Sequence, residues 1–115
     1  MTTERTIKVG DVTITVAQPT NRQREYLRRI VTSLRGTFSD QTVAEYAACC
    51  AYTVKVEGGW QPPAPTAGKE AHLRGIEEFL DLPSALTDRW QIAIFDEVDP
   101  VTSPQALPKD ADPNS

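Results

Sequence analysis

The sequence is poor in the side chains that most chemistry needs. It holds one histidine, His72, and two cysteines, the adjacent Cys49 and Cys50, in 115 residues. A metal site needs ligands clustered at fixed spacings. One histidine in one segment and two cysteines in another do not supply it, so no metal and no cofactor is expected. Neighbours on a helix point in different directions, which does not suit a disulfide between Cys49 and Cys50. They read as small buried hydrophobes in a reducing compartment. P-loop, GxGxxG and nucleophile-elbow motifs are all missing. The carboxylate pairs Glu77-Glu78 and Asp96-Glu97 fit solvated helix faces. These gaps argue against an enzyme.

Long apolar runs are also missing. No stretch approaches the ~18–20 apolar residues that cross a bilayer. The opening MTTERTIKVG lacks the apolar core of a signal peptide. The expected location is therefore the cytoplasm, away from membranes. The sequence has no internal repeat and no heptad run long enough for a coiled coil.

What is present points to one α+β domain, mostly α, over residues 1–98. The most apolar stretch is QTVAEYAACCAYTVKV, read as a buried central helix over 41–57. Thr42-x-x-Glu45 reads as its capping box and Gly58-Gly59 as its end. Upstream, Ile7 and Val9 alternate with polar residues, and so do Val12, Ile14 and Val16. Gly10-Asp11 between them suits a two-residue type II′ turn. The spacing predicts a hairpin over 5–17 that pairs Val9 with Val12 and Ile7 with Ile14. A lone hairpin is marginal in water, so its apolar face must cover the helices.

A second capping box, Thr20-x-x-Gln23, opens a helix over 20–35 with the stripe Tyr26, Leu27, Ile30, Val31 and Leu34. The connector GGWQPPAPTAG follows the central helix. In it Trp60 either folds back onto the core or faces a partner. A third helix over 69–82 turns Leu73, Ile76, Phe79 and Leu80 inward. His72 reads as an exposed residue on it, and Gly75 costs it roughly 1 kcal/mol against alanine. A fourth, over 84–98, starts at Pro83-Ser84 and carries Leu86, Trp90, Ala93 and Ile94, widened by Ile92, Phe95 and Val98. The expected fold is thus an N-terminal β-hairpin packed on about four helices. The proline-rich 99–115 is expected to be a disordered tail.

Charge is divided along the chain. The first 36 residues carry a net +4 and the rest a net −8. Arg22, Arg24, Arg28 and Arg29 lie on the polar face of the first helix. They invite a nucleic-acid reading, but the next helix has no arginine and the whole chain is acidic, which argues against it. A self-association face, or a face for an acidic partner, fits better.

The order of parts resembles the small tail assembly chaperones of long-tailed bacteriophages. The hairpin KVGDVTITV precedes an arginine-rich helix and an alanine-rich central helix. The connector VEGGW, a short helix and an LPSAL turn into a last amphipathic helix follow. The resemblance spans about Ile7 to Val98. It implies a non-enzymatic viral protein of the infected bacterial cytoplasm. Such a protein binds tape-measure and tail-tube proteins before the tube polymerises, and it is absent from the finished tail. It also implies a longer product made by a −1 ribosomal frameshift, for which Leu107-Pro108-Lys109 could be encoded CTC-CCA-AAG. Apolar stripes with charged rims, such as Leu86, Trp90 and Ile94 between Asp88 and Arg89, could receive an amphipathic client helix. Trp60, Trp90 and Phe95 are the candidate anchors, with the core as their alternative place. A homo-oligomer is compatible with the divided charge. The rival reading is a small acidic inhibitor that binds a host nuclease or defence complex.

Overall fold

Gly10 sets the register of the N-terminal hairpin. The computed structural model describes residues 4–98, apart from the Glu97 side chain; the tail expected over 99–115 lies outside the described residues. Strands β1 (Glu4–Val9) and β2 (Val12–Ala17) are antiparallel and pair Val9 with Val12 and Ile7 with Ile14. Gly10 has φ of 61°, as the first position of a type II′ turn requires. Ile7, Ile14 and Val16 are buried. On the other face the Thr6 and Thr15 hydroxyls meet at 3.1 Å, the cross-strand pairing that suits threonines placed opposite each other.

The fold is α+β and mostly helical, with the hairpin packed on four α-helices: α1 (Asn21–Leu34), α2 (Asp40–Tyr52), α3 (Lys69–Leu80) and α4 (Ser84–Ile92). A π-helical segment, Ala93–Val98, continues α4. The α1 capping box is formed as its sequence predicts. Thr20 Oγ1 accepts from the Gln23 N–H at 3.2 Å, and Gln23 Oε1 accepts from the Thr20 N–H at 2.7 Å.

The expected central helix over 41–57 needs correction at both ends. Its apolar body is buried as expected, with Val43, Tyr46, Ala47, Ala48 and Cys49 no more than 1% exposed. But the helix stops at Tyr52, and Thr53–Glu57 forms a third strand, β3, antiparallel to β2. The β-branched Thr53, Val54 and Val56 favour a pleated backbone, and the free edge of β2 gives that backbone partners. Val16 pairs with Thr53 and Thr15 with Lys55, so Val54 is the extra residue of a bulge. Its side chain is left 52% exposed. The β3 edge is partly closed, because the Val56 N–H donates outward to Gln61 Oε1.

At the other end the cap of α2 is Ser39, not Thr42. Ser39 Oγ accepts from the Thr42 N–H at 3.2 Å, while Glu45 turns to Gln41. Ser39→Ala should therefore cost about 1 kcal/mol, and Glu45→Ala much less. Urea midpoints of the two variants check this, and an equal loss would restore the Thr42–Glu45 box.

Later boundaries shift as well. α3 ends at Leu80, which is 47% exposed rather than inward. α4 starts after Pro83 without a side-chain cap among the described residues. The wider turn of the π-helical segment brings Ala93, Ile94 and Val98 to one buried face. Gln91 ties α4 to α2 by donating from Nε2 to the Glu45 carbonyl at 3.0 Å.

Candidate functional site

Helix α1 places Leu27 and Arg28 each about one turn after Arg24, so both border it on one side of the helix. Beside them α2 presents Ala44, which is too small to fill the space. Tyr52 at the end of α2 and Phe95 of the π-helical segment close the other side, their ring centroids 6.1 Å apart. The result is a cleft of about 220 Å³ lined by these six residues. Its interior is apolar, and its two charged members are both cationic. Arg28 also approaches Glu25 at 3.7 Å, with both side chains more than half exposed. Such a surface pair is worth little and leaves the arginine able to turn to a partner.

The expected anchors separate here. Leu86, Trp90 and Ile94 are 6%, 0% and 0% exposed. They belong to the core, and an anchor role for them is withdrawn. Hydrophobic spacing marks a buried stripe equally well whether a domain or a partner buries it. Trp60 folds back onto the core, its ring 5.9 Å from Trp90 and 6.0 Å from Phe79, with Nε1 donating to Glu78. Phe95 alone of the five lines the cleft. Of the arginine face, Arg24 and Arg28 reach the cleft, Arg29 lies further round α1, and Arg22 is exposed. Leu27, Ala44 and Tyr52 line the cleft without a sequence signal for it: the spacing of Leu27 marks a core stripe, and nothing in the sequence marks Ala44 as standing beside a gap.

His72 is a further correction, because it is 2% exposed rather than on the surface. Its Nδ1 lies 2.8 Å from the Tyr46 hydroxyl. Burial pushes the imidazole below its ordinary pKa, with the Pro65 carbonyl pulling the other way. Burial also pushes the Tyr46 phenol far up, so it stays protonated. The two cysteine thiols are free and buried. Burial raises Cys50 to about 12 and Cys49 well above its usual value, which removes the thiolate that reactivity needs.

A histidine with a lowered folded-state pKa binds fewer protons folded than unfolded. Stability is then complete above the unfolded value near 6.5 and falls as the pH drops below it. Urea midpoints between pH 7.5 and 5 should fall more steeply for the native chain than for His72→Asn, which has no group titrating there. Parallel curves would place the imidazole in water.

Among the described residues no His, Cys, Asp or Glu cluster could hold a metal ion, and no helix is long and apolar enough to cross a membrane. Compared with protein-family models, with curated proteins and with solved structures, the chain matches none.

Proposed function

We propose that this chain is a tail assembly chaperone of a long-tailed bacteriophage. It is non-enzymatic, acts in the bacterial cytoplasm, and holds helical segments of tape-measure and tail-tube proteins until the tube polymerises. The observation that supports this reading is the α1–α2 cleft, whose apolar interior and paired arginines match an amphipathic segment with acidic flanks. A helix laid in such a cleft gains affinity from its apolar side chains, and register and rate from the charges. The divided charge of the chain favours self-association along a long client, with the exposed Arg22 outside the cleft placed to meet the acidic half of a second copy.

The test is co-expression with the tape-measure protein of the phage that encodes the chain. The native chain should keep that protein soluble, and Arg24→Glu/Arg28→Glu should lower the soluble yield about tenfold while its own melting temperature holds. Equal yields with and without the chain would overturn the proposal. Intact-mass analysis of the native gene with its downstream DNA gives an independent check. A minor longer product sharing residues 1–108 is expected.

A further inference from the structure

We infer that the outer edge of β1 is a pairing surface for a second copy of this chain, whose own β1 joins it in antiparallel register. The two three-stranded sheets then become one. This edge shares no residue with the α1–α2 cleft and does not depend on the proposed function. The sheet order is β1-β2-β3, so β1 and β3 are its two edges, and among the described residues no strand pairs with the outer side of β1. The β3 edge is interrupted by the bulge at Val54 and by Gln61 on the Val56 N–H. β1 has neither device. It holds no proline and pairs with β2 residue for residue along its whole length. Such an edge is a ready template for another strand.

The hairpin fixes which backbone groups face outward. In a two-residue hairpin the residues flanking the turn, here Val9 and Val12, exchange both backbone hydrogen bonds. The pairs Ile7 with Ile14 and Arg5 with Val16 then do the same. The N–H and C=O groups of Glu4, Thr6 and Lys8 therefore point away from β2. All three residues are exposed. Their side chains share the outer face of the sheet, opposite the buried Ile7.

The side chains select the partner and the register. With Thr6 opposite Thr6 of the second copy, Glu4 falls opposite Lys8 and Lys8 opposite Glu4. One two-fold axis therefore makes both ion pairs and brings the outward residues of both copies into hydrogen-bonded pairs. The Thr6 hydroxyl, already 3.1 Å from that of Thr15, meets its counterpart across the axis. Sliding the strands by two residues puts Lys8 opposite Thr6 and leaves the ion pairs unmade, so charge specifies this register over its neighbours. Because the β3 edge is closed, pairing stops at two copies rather than running from sheet to sheet into a filament. The edge is short, and the area it buries falls at the low end for specific interfaces, about 1,200 Å² or less. The dimer is therefore weak, forming at roughly tens of micromolar or above.

Sedimentation velocity of the full-length chain over a concentration series reads the dimer, and amide hydrogen exchange locates it. The Thr6 and Lys8 amides should exchange fast in dilute protein and slow several-fold as the dimer forms. The Ile7 amide, bonded within the hairpin, should stay slow throughout. Glu4→Lys and Lys8→Glu each set like charges opposite each other at both ends of the interface, and each should weaken dimerisation about tenfold. They move the net charge in opposite directions, so a shared loss is not an effect of total charge. The double variant Glu4→Lys/Lys8→Glu remakes both pairs and should recover the native affinity. Within one chain the two residues lie about 13 Å apart along the strand, so that recovery has to come from the second copy. Both side chains are exposed, and the melting temperature of dilute protein should hold in all three variants. A chain that stays monomeric up to roughly 1 mM would overturn the proposal and leave the edge to a strand of another protein. A dimer that ignores the single variants, or that the double variant does not restore, would overturn it as well.

Discussion

Trp90→Ala should lower stability by about 3–5 kcal/mol, the range for removing a large aromatic from a packed interior. Domains of this size are stable by about 5–15 kcal/mol, so at the low end of that range the loss would leave a large fraction unfolded at 37 °C. Trp90 is 0% exposed. Its Nε1 donates to Thr53 Oγ1 at 2.9 Å, and its ring meets Trp60 edge-on at 5.9 Å. Thr53 is the residue where α2 gives way to β3. Removing the indole therefore opens a cavity, leaves that hydroxyl without its partner, and loosens the junction of helix and sheet. Urea unfolding followed by far-UV circular dichroism reads the loss, and Trp90→Phe separates the two parts. Phenylalanine keeps most of the volume but not the N–H, so it should recover more than half of the stability. An alanine variant within about 1 kcal/mol of the native chain would place the ring at the surface and restore its reading as an anchor.

The elements that the sequence made legible are those whose signals are local. The hairpin register follows from Gly10 and the alternation of Ile7, Val9, Val12 and Ile14, and the structure pairs them accordingly. The first helix follows from Thr20 and Gln23, whose reciprocal hydrogen bonds are formed. What was not legible depends on distant partners. Thr53–Glu57 continues an apolar helical pattern, and its β-branched residues settle as a strand once the free edge of β2, about 40 residues upstream, pairs with them. His72 reads as a polar residue on an amphipathic helix until Tyr46 arrives from α2 to meet it.

The candidate site was less legible than the fold for a related reason. Spacing says which side chains share a face but not which element covers that face. Trp90 and Ile94 are covered by their own domain, whereas Leu27 and Phe95 are only partly covered and border an open cleft. The difference lies in the size of the facing residue, Ala44, and in the wide turn that sets Phe95 beside Tyr52. Both are properties of packing, and neither is written in the local sequence.

Gly75→Ala should destabilise the fold, against the expectation from helix propensity alone. In an isolated helix alanine would gain roughly 1 kcal/mol over glycine. In the folded chain a Cβ at position 75 would run into the Tyr46 hydroxyl oxygen and lie 2.8 Å from Pro63 Cγ. Neither neighbour yields easily. Tyr46 is 0% exposed, held by His72 and stacked edge-on against Phe79 at 5.9 Å, and the ring of Pro63 is rigid. Overpacking of this kind costs about 1–3 kcal/mol, enough to outweigh the propensity gain. The melting temperature should fall by several degrees. Tyr46→Phe removes the oxygen that the new methyl group meets. The double variant should then lose less than the two single losses combined, because residues in contact do not add. If Gly75→Ala melts at or above the native temperature, α3 does not approach Tyr46 this closely. The hydrogen bond between Tyr46 and His72 would then have to be looser than 2.8 Å.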